Sequence, residues 1–148
     1  MRTLRNQILD ITSLKSFTFD FCSKLSVGDI ILLEGELGTG KTTLARHIIN
    51  NLYLVNNLPK PSTISSPTFP ILLTYELDSY EIYHYDLYRI KNTKELSELN
   101  IFENTSSSIT LIEWPEILIK NSSIKNFYLI RLDLHTETER KIEIIYSN

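Results

Sequence analysis

Residues 30–43 read Ile-Ile-Leu-Leu-Glu-Gly-Glu-Leu-Gly-Thr-Gly-Lys-Thr-Thr, and this stretch decides the fold. Ile30–Glu34 is an apolar run of strand length, flanked by polar turns, as a strand covered on both faces requires. Gly35, Gly38 and Gly40 follow within six residues and allow backbone conformations closed to other residues. From Thr42 to Leu54, apolar Leu44, Ala45, Ile48, Ile49 and Leu52 recur at helical spacing. A strand, a glycine-rich turn and a helix in this order present successive backbone N–H groups and a helix N-terminus to a single anion.

Residues 35–42 also satisfy the stricter pattern of Gly, four residues, Gly, Lys, then Ser or Thr. At average residue frequencies a chance match somewhere in this chain has a probability of about half a percent. The pattern implies a nucleoside triphosphate held with magnesium by Gly35, Gly38, Thr39, Gly40, Lys41, Thr42 and Thr43. Lys41 would reach the β- and γ-phosphates, the Thr42 hydroxyl would ligate magnesium, and Thr43 could donate to the α-phosphate. A loop alone is not a mechanism. Hydrolysis needs a carboxylate near the metal or the attacking water, and a group that senses the γ-phosphate.

Working outward, Ile109–Ile112 is a second buried strand, and it runs into Glu113-Trp114-Pro115. A strand beside Ile30–Glu34 would bring its terminal acid to the metal, so Glu113 is a candidate for the magnesium shell. The alternative is a surface acid before a turn. In Tyr83-His84-Tyr85-Asp86-Leu87-Tyr88-Arg89, alternation places His84, Asp86 and Tyr88 on one face and Tyr83, Tyr85 and Leu87 on the other. Asp86 could hold metal or orient water; it could equally pair with Arg89 or a lysine. His84 reads as a satisfied strand histidine and the tyrosines as core and rim packing. Ser65-Ser66-Pro67-Thr68-Phe69 lies where a γ-phosphate-sensing threonine would stand, which makes Thr68 a switch candidate; a plain Ser-Pro turn is the bland reading.

The remaining elements complete a mixed sheet. Arg5–Leu9 is a short strand. Leu14, Phe17, Phe21 and Leu25 predict a helix capped by Thr12 or Ser13, although Phe17, Phe19 and Phe21 also alternate. Phe69–Leu77 and Glu81–Tyr88 form an antiparallel pair around Asp78-Ser79. Asn92 caps a short helix over Thr93–Leu99, and Lys125–Leu134 pairs with Arg140–Tyr146. The expected fold is α/β: a P-loop NTPase-like three-layer arrangement with a mixed parallel and antiparallel central sheet and helices on its faces. One domain would cover residues 1–148.

With 42% hydrophobic and 22% charged residues the composition is globular. A net charge of −3 argues against a free-standing nucleic-acid binder, so a partner would do the gripping. The start of the chain, Met1–Asn6, has no apolar run of the signal-peptide kind, and no stretch approaches a membrane span. The single cysteine, Cys22, reads as a buried thiol in a reducing compartment. The expectation is a cytoplasmic protein.

Taken together, Gly35–Thr43, Ser66–Phe69 (SPTF), Ile82–Arg89 (IYHYDLYR) and Ile112–Glu116 (IEWPE) resemble the TsaE (YjeE) family in order and spacing across almost the whole chain. The resemblance implies an ATPase, weak alone, of bacterial tRNA threonylcarbamoyladenosine formation. It implies docking on the TsaD–TsaB heterodimer, in which TsaD modifies the tRNA, so that tRNA is met only through the complex and neither DNA nor membrane is a partner. The family's magnesium residues fall on Thr42 and Glu113, its motif aspartate on Asp86 and its neighbouring tryptophan on Trp114. Lys41, Asp86 and Glu113 would then be the catalytic set. The chain departs from the family at Phe17-Thr18, where a small residue and glycine are usual, and at Leu14, where a threonine approaches the adenine. The loop Asn56–Ser65 is longer than is usual.

Two other classes use the same loop. A small-molecule kinase needs an arginine-bearing lid, and Arg89, Arg131 and Arg140 are the only arginines after Arg46. A GTP-dependent switch needs an Asn-Lys-x-Asp guanine motif, and none occurs. A docking module that binds nucleotide without needing hydrolysis would use an identical pocket.

Overall fold

The computed structural model describes residues 1–148. Seven strands form one sheet: β1 (Arg2–Asp10), β2 (Ile30–Glu34), β3 (Leu72–Glu76), β4 (Glu81–Asp86), β5 (Ser108–Glu113), β6 (Phe127–Leu134) and β7 (Glu139–Ser147). Their spatial order is β1-β7-β6-β2-β5-β4-β3. β2 lies at the centre, parallel to β5 on one side and β6 on the other, and β4 runs parallel to β5. The flanks are antiparallel, through β3 on β4, β7 on β6 and β1 on β7. The mixed sheet expected from sequence is present.

Helices α1 (Ile11–Cys22) and α2 (Lys41–Val55) cover one face, and α3 (Thr93–Glu98) and α4 (Glu116–Asn121) the other. Strand alternation divides the core between them. Ile31 and Leu33 of β2 pack under α1 and α2 with Leu44, Ile48 and Leu52, whereas Ile30 and Leu32 join Leu96 and Leu118 on the opposite face. Cys22 is buried against α2, with its thiol hydrogen toward Ile48 O at 3.6 Å. Burial pushes that thiol up to about 12, which leaves it unreactive at neutral pH.

Three local expectations are corrected. The helix of Leu14, Phe17 and Phe21 is real and Phe19 is its exposed face, but Asp10 caps it, accepting from Ser13 N at 2.6 Å. β1 runs on through Asp10, which leaves Thr12 and Ser13 inside the first turn. The strand expected from Phe69 starts only at Leu72. Pro67 O accepts from Ile71 N at 2.6 Å and Ile71 adopts φ +68°, so residues 67–71 form a tight turn instead. α4 follows Pro115, in a stretch to which the sequence pattern assigns no element.

Candidate functional site

The site stands at the carboxyl ends of the parallel strands, where open α/β sheets place their ligands. β2 ends at Glu34, and the chain turns through Gly35, Gly38 and Gly40, all at positive φ, into α2. Gly40 occupies the cap position with φ +103° and offers no side chain to the helix amides. The amides of Gly38, Gly40, Lys41, Thr42 and Thr43 have no backbone or side-chain acceptor. Five unpaired donors at the start of a 15-residue helix make an anion cradle, to which the helix dipole adds.

Two residues of the loop serve its shape. Gly35 backs onto β6, where an added Cβ would stand 2.4 Å from Leu132 O. Thr39 is buried, and its hydroxyl donates to Glu36 O at 2.9 Å. Its own carbonyl accepts from Arg140 Nε at 2.8 Å. The Arg140 fork is committed to Thr39 O and to carbonyls of the β6–β7 turn, Thr136, Glu137 and Glu139, and so is not free to reach a phosphate. The side chains that face the open cleft are Leu37, Lys41, Thr42, Thr43, Thr68, Asp86, Tyr88, Glu113 and Trp114.

Lys41 folds back on its own loop. Its ammonium donates to Gly35 O at 2.6 Å and Glu36 O at 2.9 Å, and it sits 3.7 Å from the centre of the Trp114 ring. Burial pulls its pKa below the ordinary lysine value, against Glu113, Glu116, Asp86 and Glu36, which favour the charge. Trp114 holds its place with φ +56°, its N–H on Leu33 O at 3.3 Å, and its ring 4.8 Å from that of Tyr88.

The carboxylates meet through the sheet register. β4 and β5 pair so that Asp86 lies opposite Glu113. Glu113 is 1% exposed, which removes the surface-acid alternative. Its Oε2 accepts from the Thr42 hydroxyl at 2.8 Å, and its Oε1 lies 2.8 Å from His84 Nε2. Asp86 is buried and pairs with neither Arg89 nor a lysine: Oδ1 accepts from Tyr88 N at 2.9 Å and Oδ2 from the Thr68 hydroxyl at 2.8 Å. Arg89 instead lies over Phe69, 5.4 Å from its ring centre. Thr68 has one hydrogen and gives it to Asp86, so Ser66 Oγ, 2.8 Å away, is the donor in their contact.

His84 was missed. It is fully buried beside Glu113, and its Nδ1 has no partner, so it is only half satisfied. Strand alternation had placed it with Asp86, but the reach to Glu113 is a cross-strand contact that local pattern does not contain.

Would magnesium suit this donor set? Thr42 Oγ1 and Glu113 are hard oxygen donors already in contact, at the foot of a loop with unpaired amides. No group of three or more His, Cys, Asp or Glu stands ready to hold a metal. Magnesium is commonly held by one or two protein groups together with phosphate oxygens and water, so these residues fit it.

The family described as "Threonylcarbamoyl adenosine biosynthesis protein TsaE" matches residues 9–142. The chain belongs to the TsaE family. Among its relatives is the tRNA threonylcarbamoyladenosine biosynthesis protein TsaE of Rickettsia typhi, 42% identical over 104 residues, which are 70% of this chain and 69% of that protein. The protein of the same name from Rickettsia felis is 40% identical over 84% of this chain and 69% of its own length. That from Haemophilus influenzae is 35% identical over 78% of this chain and 69% of its own. The crystal structure of YdiB from Bacillus subtilis superposes with a TM-score of 0.69, covering 100% of this chain and 89% of that one at 18% identity. This likeness speaks for the fold, which is the P-loop three-layer arrangement expected for a TsaE family member. No helix is long and apolar enough to cross a membrane.

Proposed function

We propose that this chain binds ATP with magnesium in the cleft above β2 and hydrolyses it in the service of tRNA threonylcarbamoyladenosine formation, docked on TsaD and TsaB. The names of its relatives supply the pathway. The observation that carries the chemistry is the 2.8 Å contact between Thr42 and Glu113 at the mouth of an unpaired amide cradle.

The residues divide the work. The amides of residues 38 and 40–43 bind phosphate oxygens. Lys41 leaves the Gly35 and Glu36 carbonyls to place its charge on the β- and γ-phosphates. Thr42 and Glu113 hold magnesium, which when bound neutralises charge on the phosphate oxygens. Thr68 turns its hydroxyl from Asp86 to the γ-phosphate. That move frees Asp86 Oδ2 to accept a hydrogen from the attacking water and orient it. Trp114 and Tyr88 wall the cleft beside Lys41 and keep bulk water from that side. The role in the cytoplasm, the single-domain organisation and the absence of direct tRNA contact belong to the same proposal.

Glu113→Ala and Asp86→Ala are expected to keep ATP affinity within about tenfold of the parent while turnover with TsaD and TsaB falls by about 100-fold or more, the scale of a lost charge-positioning group. Equal loss of binding and turnover would remove both residues from the chemical step. Modified tRNA made at full rate with a non-hydrolysable ATP analogue would favour the docking-module reading.

Trp114 supplies an optical check, since it is the only tryptophan and Lys41 lies on its ring. Drawing the ammonium onto a phosphate changes the indole's surroundings, so magnesium–ATP should alter its emission. An unchanged spectrum at saturating nucleotide would detach Lys41 and Trp114 from the site.

A further inference from the structure

His84 is the one fully buried histidine, and its position on β4 faces the α2 side of the sheet, in line with Ile82 and Asp86. An apolar residue there would bury no unpaired ring nitrogen. Histidine instead leaves Nδ1 unpartnered in the interior, which is unfavourable by itself. What the residue gives in return is a single contact, Nε2 to Glu113 Oε1 at 2.8 Å. A carboxylate oxygen only accepts, so Nε2 carries the hydrogen. In the neutral ring Nδ1 is then a bare lone pair, a smaller loss than a buried N–H.

Glu113 has two oxygens, and each is held from a different element. Thr42 of α2 takes Oε2 and His84 of β4 takes Oε1. A magnesium ion that drew Thr42 Oγ1 into its shell would compete for that contact, and His84 would remain as the group that keeps the carboxylate plane turned toward the loop. We propose that His84 is a positioning residue: its N–H fixes the orientation of Glu113 and so sets the magnesium affinity of the site. Partners of metal-ligating carboxylates commonly set metal affinity in this way. The inference rests on the reading of Glu113 as a magnesium ligand.

The alternative is a histidine that only fills space, and a pair of substitutions separates the two. His84→Leu keeps bulk without a donor. His84→Gln carries an amide N–H on a chain of similar reach. Binding of a non-hydrolysable ATP analogue is measured by equilibrium titration in EDTA and then across a magnesium series. The EDTA affinities should agree within about twofold, which also certifies the folded cradle, with His84→Phe standing in if the leucine variant folds poorly. The magnesium concentration for half-maximal enhancement should rise about 10–100-fold in His84→Leu and return to within about threefold of the parent in His84→Gln. Leucine and glutamine variants that behave alike, both unchanged or both impaired, would overturn the proposal. Glu113→Ala, run alongside, tells the failures apart. If it leaves the magnesium response intact, the reading of Glu113 has failed; if it abolishes the response while His84→Leu does not, only the role of His84 has.

Discussion

Lys41→Ala is expected to lower ATP affinity by about 100–1000-fold while leaving the fold in place. Hydrogen bonds to charged groups contribute roughly 1.5–3 kcal/mol each, and in the proposed complex this ammonium serves two phosphates. The cost to the fold is small by comparison. Gly35 O and Glu36 O lose their donor, but both lie at the edge of an open cleft where water can replace it. The stacking on Trp114 is lost as well, a contribution on the order of 1 kcal/mol. Lys41→Arg should recover little, because a planar fork cannot replace a compact ammonium folded against two carbonyls of its own loop. Calorimetric titration with magnesium–ATP, with thermal melting as control, decides it. Retained affinity in the alanine variant would move the triphosphate away from this loop.

Gly35→Ala should be the most destabilising single substitution in the loop. The new Cβ would meet Leu132 O at 2.4 Å and Thr39 Oγ1 at 2.8 Å, and the residue holds φ +154°. The obstacle is the backbone of the adjacent parallel strand, which cannot move aside as a side chain can. Steric overlap and backbone strain together suggest about 3–5 kcal/mol, a melting temperature lower by roughly 10 °C or more for a chain of this size. Gly38→Ala is the control: φ is +81° but nothing lies within 4 Å of its Cβ, so only the conformational strain of about 1–2 kcal/mol applies. Similar melts for the two variants would mean that β6 does not confine Gly35.

How much of this was legible beforehand follows from how local each signal is. The loop was readable because strand, glycines, lysine and helix are contiguous and each has its own physical requirement. Glu113 was readable from one apolar strand ending in an acid. The α1 cap was misjudged because Asp10 lies in the last residue of a nine-residue edge strand whose side chains are mostly exposed and show weak alternation. α4 escaped because six residues with one fully buried side chain, Leu118, carry no measurable period. The fate of Asp86 was left open because its partners are a turn hydroxyl 18 residues away and an amide two residues on. His84 touching Glu113 depends on the pairing of β4 with β5, and Arg140 gripping Thr39 spans 101 positions. Neither fact is a property of any window of sequence.

That last grip bears on when the protein becomes competent during synthesis. β2 and the glycine loop leave the ribosome early, yet the neighbour that confines Gly35 is Leu132 and the guanidinium that holds Thr39 O belongs to Arg140. The nascent chain must therefore emerge through Arg140 before the loop acquires its final curvature. A product terminated between residues 43 and 140 would carry the whole signature motif and still lack the brace that shapes it.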